Sequence, residues 1–410
     1  MSETIFLTGA TGFIGGYVVV DLLTRDPDVQ VLALTRAKNT REAYERLWAS
    51  LQLHWDEATF RRFAPRITPV LGDLHAPDLG LSKADQKLVM TKATSILHIA
   101  ASLNRKSAKA CLNTNLRGTL SVLKYARALA DEDRLRRYSH VSTVAVAGHR
   151  SNEVVQEDDG IDWNRSDYDP YGRTKKFCEH MARELLPDVE KTFFRPSIVM
   201  GDSRMEKTSQ FDMVRAFCFF ADLPLIPLRP DDRLDIVNAN WVSEAIAVLH
   251  LKDKPRHDIY HLSSGTAAET CRITSQAMAE TIGRKARFAP WLFPTFKASA
   301  DALARSSQKN VVTAVGSLVS VFLPYIAWNT VFDNSRAVAE LGHAPVPFSQ
   351  YCGPLYTWSK KADFKFATVP LGPAPLDNAA GATTPAATSG ADRAPRDGAD
   401  RALRDGAVTA

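Results

Sequence analysis

The chain has 410 residues, of which 45% are hydrophobic and 24% charged, and a formal net charge of +5. This composition is typical of a globular protein in water, and without a run of lysine and arginine it excludes nucleic acid as an expected partner. The five cysteines lie far apart, with no Cys-x-x-Cys pair and no zinc spacing, and the N-terminus carries no leader-like segment. We therefore expect reduced thiols, no metal site and a cytoplasmic protein.

Short apolar runs alternate with helix-like segments along the first half of the chain. The predicted strands are 4–8, 29–35, 67–71, 95–99, 138–144, 192–199 and 259–263, and the helices between them include 13–24, 113–130 and 171–186. This alternation predicts an α/β fold, a Rossmann-type doubly wound parallel sheet.

The regular alternation is lost after the first two hundred residues. We predict a Rossmann domain over 1–201, to which the strand near 259–263 returns, and an interleaved, smaller C-terminal substrate lobe over 202–368. Residues 369–410 are rich in Ala, Gly, Pro and Thr and contain a near-exact eight-residue repeat at 391–406. Such a segment buries too little apolar surface to offset ordering entropy, so we expect a disordered tail.

Three glycines are spaced by three residues in TGATGFIG, residues 8–15, between the first predicted strand and the first predicted helix. Glycine lets the backbone turn tightly and approach a pyrophosphate, and the helix N-terminus offers free N–H groups. No Gly-Lys-Ser/Thr follows, which argues against a triphosphate-binding loop. We expect a bound dinucleotide; the alternative is a tight corner without a ligand. The residues expected to contact it are Gly9, Thr11, Gly12, Phe13, Ile14 and Gly15.

Basic residues follow the second predicted strand, where Arg36 is succeeded by Lys38 and Arg41. A ribose 2′-phosphate favours a guanidinium, whereas an acid at this place favours the 2′-hydroxyl of NAD. Arg36 therefore predicts NADP(H) as the cofactor, and a solvated surface is the alternative for the other two. Asp73, at the end of the third strand, is expected to meet the adenine amine, with Leu74 beside it.

The segment YDPYGRTKK, residues 168–176, places Tyr171 and Lys175 four residues apart, on one face of a predicted helix. An ammonium beside a phenol favours the phenolate and lowers the pKa of the tyrosine. Ser142 and Thr143 close a buried strand, at the sheet edge where open α/β sheets bind ligands. We expect their hydroxyls to bind a substrate oxygen beside Tyr171; the alternative is hydroxyls that the backbone satisfies.

Five motifs occur in one order: TGATGFIG, HIAA (98–101), NTNLRGT (113–119), HVSTVAVAG and YGRTK. Together they resemble the extended short-chain dehydrogenase/reductase superfamily. The resemblance implies that Tyr171 is the general acid/base, that Lys175 lowers its pKa and holds the nicotinamide ribose, and that Thr143 is the catalytic hydroxyl. It further implies roles for Asn115 in a proton relay, for Ala100 and Pro196 at the cofactor, and for Ser142 and Ser197 at the substrate.

A narrower resemblance rests on residues 32–51, on GDLHAPDLGLS (72–82) and on VFDNSRAVAELG (331–342). These are similar to the acyl-thioester and fatty acyl-CoA reductases of the male-sterility-type NAD-binding group. The resemblance implies an NADPH-dependent reductase whose partner is an acyl-CoA or acyl carrier protein and whose product is an aldehyde, with further reduction to the alcohol left open. The alternatives are a hydroxysteroid-type dehydrogenase, a nucleotide-sugar epimerase and a non-catalytic NADP-binding protein.

Residues 310–332 contain no charged residue, and the first charge after them is Asp333. Their length permits a membrane span, but Gly, Ser, Thr and Pro dilute the segment. We expect a buried helix that lines an acyl tunnel, with peripheral contact to the inner face of a membrane and a true span as the alternatives. A homodimer through the Tyr171 helix stays open.

Overall fold

The computed structural model describes residues 3–158, 161–306, 311–327, 329–374 and 376. In chain order its strands are β1 Thr4–Thr8, β2 Gln30–Thr35, β3 Ile67–Leu71, β4 Ser95–His98, β5 Arg137–Val141, β6 Val154–Val155, β7 Lys191–Pro196, β8 Ile198–Val199, β9 Arg233–Leu234, β10 Ile236–Val237, β11 Ile259–Leu262, β12 Glu269–Thr270 and β13 Val331–Phe332.

The helices, in the same order, are α1 Phe13–Arg25, α2 Thr40–Leu51, α3 Glu57–Phe63, α4 Lys83–Lys92, α5 Ala108–Cys111, α6 Gly118–Asp131, α7 Pro170–Leu185, α8 Asp212–Asp222, α9 Ala239–Leu251, α10 Cys271–Glu280, α11 Phe293–Arg305, α12 Val311–Ile326, α13 Ser335–Leu341 and α14 Cys352–Lys361.

A parallel sheet in the order β11-β7-β5-β4-β1-β2-β3 forms the centre of the described residues. In β1, Ile5 and Leu7 pack into the core on the side of α1 and α9, and Phe6 packs into the core on the side of α6. Apolar residues point to both faces because helices cover both, as a doubly wound sheet requires. The predicted fold class is confirmed.

One predicted strand ends earlier in the structure than the sequence predicts, and one predicted helix is interrupted. The strand predicted over 138–144 ends at Val141, so Ser142 and Thr143 belong to the connection that follows it. The helix predicted over 113–130 contains a π-helical segment, Leu112–Arg117, between α5 and α6. Both departures lie beside the cavity described below, where tertiary contacts override the local pattern.

A separate hydrophobic core lies outside the sheet layers. It is formed by side chains of α8, α10, α12 and α14, among them Phe217, Met278, Leu323 and Leu355. This core holds α12, which occupies most of the uncharged segment 310–332, against α8 and α11. Every helix in the described part of the chain is too short or too polar to cross a membrane.

The first residues of the predicted tail are ordered, which corrects the expected start of disorder at residue 369. The carbonyl of Val369 accepts a hydrogen bond from Trp48 Nε1 (2.7 Å), and Leu371 is buried in the core beneath α2. The repeat at 391–406 lies outside the described residues, as do the other residues after 376. The boundary predicted between 201 and 202 stays a prediction.

Candidate active site

A cavity of about 490 Å³ lies at the carboxyl ends of the sheet strands. Such a position and volume are typical of ligand sites in open α/β sheets. The predicted residues among those that line it are Gly9, Thr11, Gly12, Phe13, Ile14, Gly15, Arg36, Asp73, Leu74, Ala100, Ser142, Thr143, Tyr171, Lys175, Pro196 and Ser197. We call the part formed by 9–15, Arg36, Arg46 and Asp73 the glycine end. The part formed by Arg105, Thr143, Tyr171, Lys175, Phe322 and Tyr325 is called the tyrosine end.

Close packing requires glycine in this turn. Gly9 has φ +88°, and a Cβ there would lie 2.7 Å from the amide nitrogen of Ala100. A Cβ on Gly15 would lie 1.9 Å from the carbonyl oxygen of Gly9, so only glycine lets α1 start this close to β1. Gly12 is the N-cap of α1 and supplies no side-chain cap, and the first turn carries no acid. This leaves helix N–H groups facing the cavity, an arrangement that fits a pyrophosphate.

Two arginines lie at the far side of the glycine end. The Arg36 side chain is 65% exposed, and its Nη1 lies 4.0 Å from Asp73 Oδ2. Arg46 on α2 donates from Nη1 to the Arg36 carbonyl (2.5 Å) and also lines the cavity. Although partial burial acts in the opposite direction, hydrogen bonds from His75 and the nearby guanidinium keep the pKa of Asp73 below its ordinary value.

The other two predicted cations lie elsewhere. Arg41 donates from Nη2 to the carbonyls of Leu371 (2.8 Å) and Gly372 (2.9 Å), and it pairs with Glu45. Neither Arg41 nor Lys38 is among the described residues that line the cavity. Arg46 was missed because its position in the middle of α2 carries no local signal; only the packing of α2 against α1 brings it there.

Tyr171 lies in the first turn of α7 and faces the tyrosine end. Asp169 caps the helix by accepting from Gly172 N (2.8 Å), and Pro170 is the first helical residue. The phenol is buried, and burial raises the pKa of Tyr171 above its ordinary value, against lowering contributions from Arg105 and Thr143. The net direction differs from the lowering that the sequence predicts, because desolvation disfavours the phenolate.

Lys175 is buried one turn further along α7. Its Nζ donates to the carbonyl of Val141 (2.7 Å) and lies 3.5 Å from Nε2 of His140. Burial lowers the pKa of Lys175. The cation lying over the Tyr171 ring is instead Arg105, whose guanidinium carbon is 4.7 Å from the ring centroid. The cation that acts to lower the pKa of the phenol, against the larger effect of burial, is therefore Arg105, and the predicted role of Lys175 stays a prediction.

The hydroxyls of Ser142 and Thr143 also line the tyrosine end. Backbone N–H of Ser142 donates to Phe194 O (2.6 Å), which fixes the connection after β5 to β7. The Ser142 hydroxyl is buried and has no hydrogen-bond partner among the described residues. Thr143 Oγ1 accepts a long bond from Ala145 N (3.3 Å), and its hydroxyl also interacts with the Tyr171 phenol. The Ser142 hydroxyl is thus available to a ligand oxygen, and the Thr143 hydroxyl lies beside the phenol.

Asn115 is placed one layer behind the cavity. Its Oδ1 accepts from Ser102 N (2.7 Å), and its Nδ2 donates to Thr174 Oγ1 (3.1 Å) on α7. The π-helical segment turns this side chain toward α7, and a single such turn inside a helix is frequent at functional sites. Among the predicted catalytic residues, Asn115 is the one that the structure does not bring to the cavity wall.

Several residues of the tyrosine end were not predicted. Arg105 lies in the loop after β4, and Phe322 and Tyr325 lie on α12. The available signal for Arg105 is its place just after a strand of the sheet, since such loops form ligand sites. The uncharged segment 310–332 was expected to line a tunnel, and α12 does contribute side chains to the cavity.

The sequence pattern of one family, described as male sterility protein, matches residues 7–246. The chain belongs to this family. Its relatives include a nonribosomal peptide synthetase of Aspergillus flavus, 29% identical over 70% of the chain and 29% of the synthetase. Another is the L-2-aminoadipate reductase large subunit of Penicillium chrysogenum, 30% identical over 52% of the chain and 16% of the subunit. The chain thus spans less than a third of either curated relative.

Among solved structures, the terminal R domain of the myxalamid PKS-NRPS pathway resembles the chain with a TM-score of 0.74 and 25% identity, over 88% of this chain and 91% of that one. Family membership and these reductase relatives confirm the predicted resemblance to the acyl-thioester reductases. They also confirm the enzyme class, a nicotinamide-dependent oxidoreductase.

Proposed function

We propose that the protein is an NADPH-dependent reductase that converts an acyl thioester to an aldehyde. The observation that carries the proposal is that one cavity is lined both by a glycine turn at a helix N-terminus with two arginines and by Thr143, Tyr171 and Lys175. A dinucleotide is long enough to join these two ends. The relatives act as parts of peptide synthetases and as an aminoadipate reductase, which supports a thioester held on a carrier protein or on CoA.

The residues of the glycine end fit the cofactor. The free N–H groups of α1 would hold the pyrophosphate, and Arg36 with Arg46 would bind the ribose 2′-phosphate. Asp73 lies 4.0 Å from Arg36 and Glu42 lies 3.9 Å from Arg46, so each guanidinium that would meet the phosphate has a carboxylate beside it that offsets part of its charge. NADPH when bound supplies the hydride that reduces the thioester carbon.

The residues of the tyrosine end act on the substrate oxygen. The hydroxyls of Ser142 and Thr143 would donate to the carbonyl oxygen as negative charge develops on it. The Tyr171 hydroxyl would supply the proton to that oxygen. Cleavage of the carbon–sulfur bond then releases a thiol and leaves the aldehyde. Lys175, held on Val141 O, would orient the nicotinamide ribose beside the phenol.

The proposal is tested with purified protein, NADPH and octanoyl-CoA or palmitoyl-CoA. Loss of absorbance at the nicotinamide band and release of free thiol are followed together. Equal amounts of NADPH consumed and thiol released indicate the aldehyde, and twice as much NADPH as thiol indicates the alcohol. No thiol from acyl-CoA or from an acylated carrier protein would refute the proposal and favour a dehydrogenase or epimerase.

Tyr171→Phe tests the assigned acid. The variant should lose at least about a thousandfold in kcat, because proton transfer is lost, while its NADPH dissociation constant stays within twofold. Tyr168→Phe is the matched control, since Tyr168 is the other tyrosine of the segment and stacks on Tyr325 with ring centroids 4.9 Å apart. Retained turnover in Tyr171→Phe would show that another group donates the proton.

One further prediction from the sequence, a cytoplasmic location, enters the proposal unchanged. Peripheral contact with the inner face of a membrane through 310–332 and a homodimer through the α7 face stay alternatives. Sedimentation and vesicle flotation of the purified chain measure the last two directly.

A further inference from the structure

Arg105 is, with Lys175, one of two cations at the tyrosine end. Its side chain is 17% exposed and lines the cavity beside Tyr171. The guanidinium carbon lies 4.7 Å from the ring centroid of Tyr171, 4.5 Å from that of Tyr325 and 5.5 Å from that of Phe322. Three aromatic rings therefore surround one guanidinium, a geometry that holds both the charge and the rings in place.

Hydrogen bonds close a triangle around this guanidinium. Nη1 of Arg105 donates to Asp169 Oδ2 (3.1 Å) and to the Tyr325 hydroxyl (2.6 Å). That hydroxyl in turn donates to the same Asp169 Oδ2 (2.6 Å). The other carboxylate oxygen, Oδ1, caps α7 at Gly172 N (2.8 Å). Three elements thus meet at one carboxylate: the loop after β4, the start of α7, and α12. Of these, α12 belongs to the hydrophobic core outside the sheet layers.

The triangle sits directly behind the phenol that the proposed reaction needs. The charged and titratable groups that face Tyr171 are Arg105 from the β4 loop, Asp169 from the start of α7, Cys111 from α5 and Tyr325 from α12. Lys175, on the same helix, directs its amino group to Val141 O instead. A buried cation close to the ring face stabilises the developing phenolate more than the neutral phenol.

We propose that Arg105 is a positioning residue for Tyr171, held over the phenol by Asp169 and by Tyr325 of α12. The inference rests on the proposed role of Tyr171 as the acid. It adds that the reacting phenol depends on a helix outside the sheet layers. An acyl chain that displaces α12 would move Arg105 and thereby change how strongly this cation stabilises the phenolate of Tyr171.

A double-mutant cycle tests this dependence. Arg105→Gln should lower kcat about thirtyfold, because the cation over the ring is lost, with the NADPH dissociation constant unchanged. In the Tyr171→Phe background the same substitution should change the residual rate less than about twofold, since Arg105 acts through the phenol. A merely structural role would lower the residual rate by the same factor in both backgrounds, and that result would overturn the inference.

Two more conservative variants control for a loss of activity that is caused by misfolding. Arg105→Lys keeps a cation but loses the planar guanidinium, so it should recover part of the lost rate, whereas Tyr325→Phe removes only the hydroxyl and should cost about threefold. Arg173→Gln, on the exposed face of α7 and paired with Asp167, is the matched control and should leave the rate unchanged. No recovery with lysine, at an unchanged melting temperature, would also count against the inference.

The substrates separate this inference from the proposed function. The cycle is run with octanoyl-CoA and, in parallel, with octanal and NADPH. A wild-type enzyme that reduces octanal but releases no thiol from any thioester overturns the proposed function, while the octanal cycle still decides the role of Arg105. Wild-type thiol release combined with equal Arg105 effects in both backgrounds overturns the role of Arg105 alone.

Discussion

The glycine end and the tyrosine end of the cavity collect their residues from the chain in different ways. Apart from Arg46 on α2, the glycine end is drawn from three short segments that follow strands of the sheet: 9–15 after β1, Arg36 after β2 and Asp73 after β3. The tyrosine end joins the β4 loop and α7 to α12, far apart in the chain. The residues expected to bind a cofactor thus come mostly from short segments of sequence. The residues that shape the substrate site come together only when segments far apart in the chain pack against each other.

Gly15→Ala is the most severe test of the glycine end. The added Cβ would meet Gly9 O at 1.9 Å, so we expect a loss of about 3 kcal/mol in unfolding free energy, measured by urea titration, and much weaker NADPH binding. Gly283→Ala is the control, because its Cβ meets nothing within 4 Å and only its φ of +66° is unfavourable, at about 1 kcal/mol. Equal losses in the two variants would mean that the close approach at Gly15 is not essential.

Arg36→Ala tests whether the glycine end selects the phosphorylated cofactor. The dissociation constant for NADPH should rise about thirtyfold and that for NADH less than threefold, since only NADPH offers a 2′-phosphate to the guanidinium. Fluorescence titration measures both. Arg41→Ala removes a cation that binds the carbonyls of Leu371 and Gly372 instead, and should change neither constant. Equal effects of Arg36→Ala on both cofactors would remove the case for NADP specificity.

Local pattern was sufficient for the sheet and the glycine turn because strand alternation and glycine spacing are properties of neighbouring residues. It also placed Thr143, Tyr171 and Lys175 at the cavity wall, through their positions after a strand and on one helix face. It did not reveal Arg105 over the phenol, because the triangle with Asp169 and Tyr325 exists only after α12 has packed. It also did not show that burial has the largest effect on the pKa of Tyr171, because the burial of a side chain depends on the whole fold.

Phe322→Ala asks whether α12 contributes to substrate binding. Removing the ring from the tyrosine end should raise the KM for palmitoyl-CoA about tenfold and leave the NADPH dissociation constant unchanged, because apolar contact with the acyl chain is lost. Val321→Ala changes the neighbouring residue, which is not among the described residues that line the cavity, and should alter neither value. A KM that responds equally to the two variants would place the acyl chain elsewhere.

The smallest expected effect concerns a buried carboxyl, Glu157, that joins β11 to α13. Glu157 accepts hydrogen bonds from the backbone N–H groups of His261 on β11 (2.8 Å) and Arg336 on α13 (2.9 Å), and burial raises its pKa to about 7. The folded chain therefore retains a proton that the unfolded chain releases above about pH 4.5. The stabilising contribution of Glu157 is fully present below about pH 4.5 and is lost as the pH rises through about 7.

Glu157→Gln removes this titration, because the amide stays neutral. Between about pH 5 and pH 8 the wild type should lose about 2 kcal/mol more unfolding free energy than the variant, measured by urea titration at each pH. Asp235, whose pKa burial raises to about 6, titrates in both proteins and cancels from the comparison. Glu45→Gln, on the exposed side of α2, should keep the wild-type slope. A Glu157→Gln slope equal to that of the wild type would show that Glu157 is already ionised in the fold, with its two backbone bonds sufficient to offset burial.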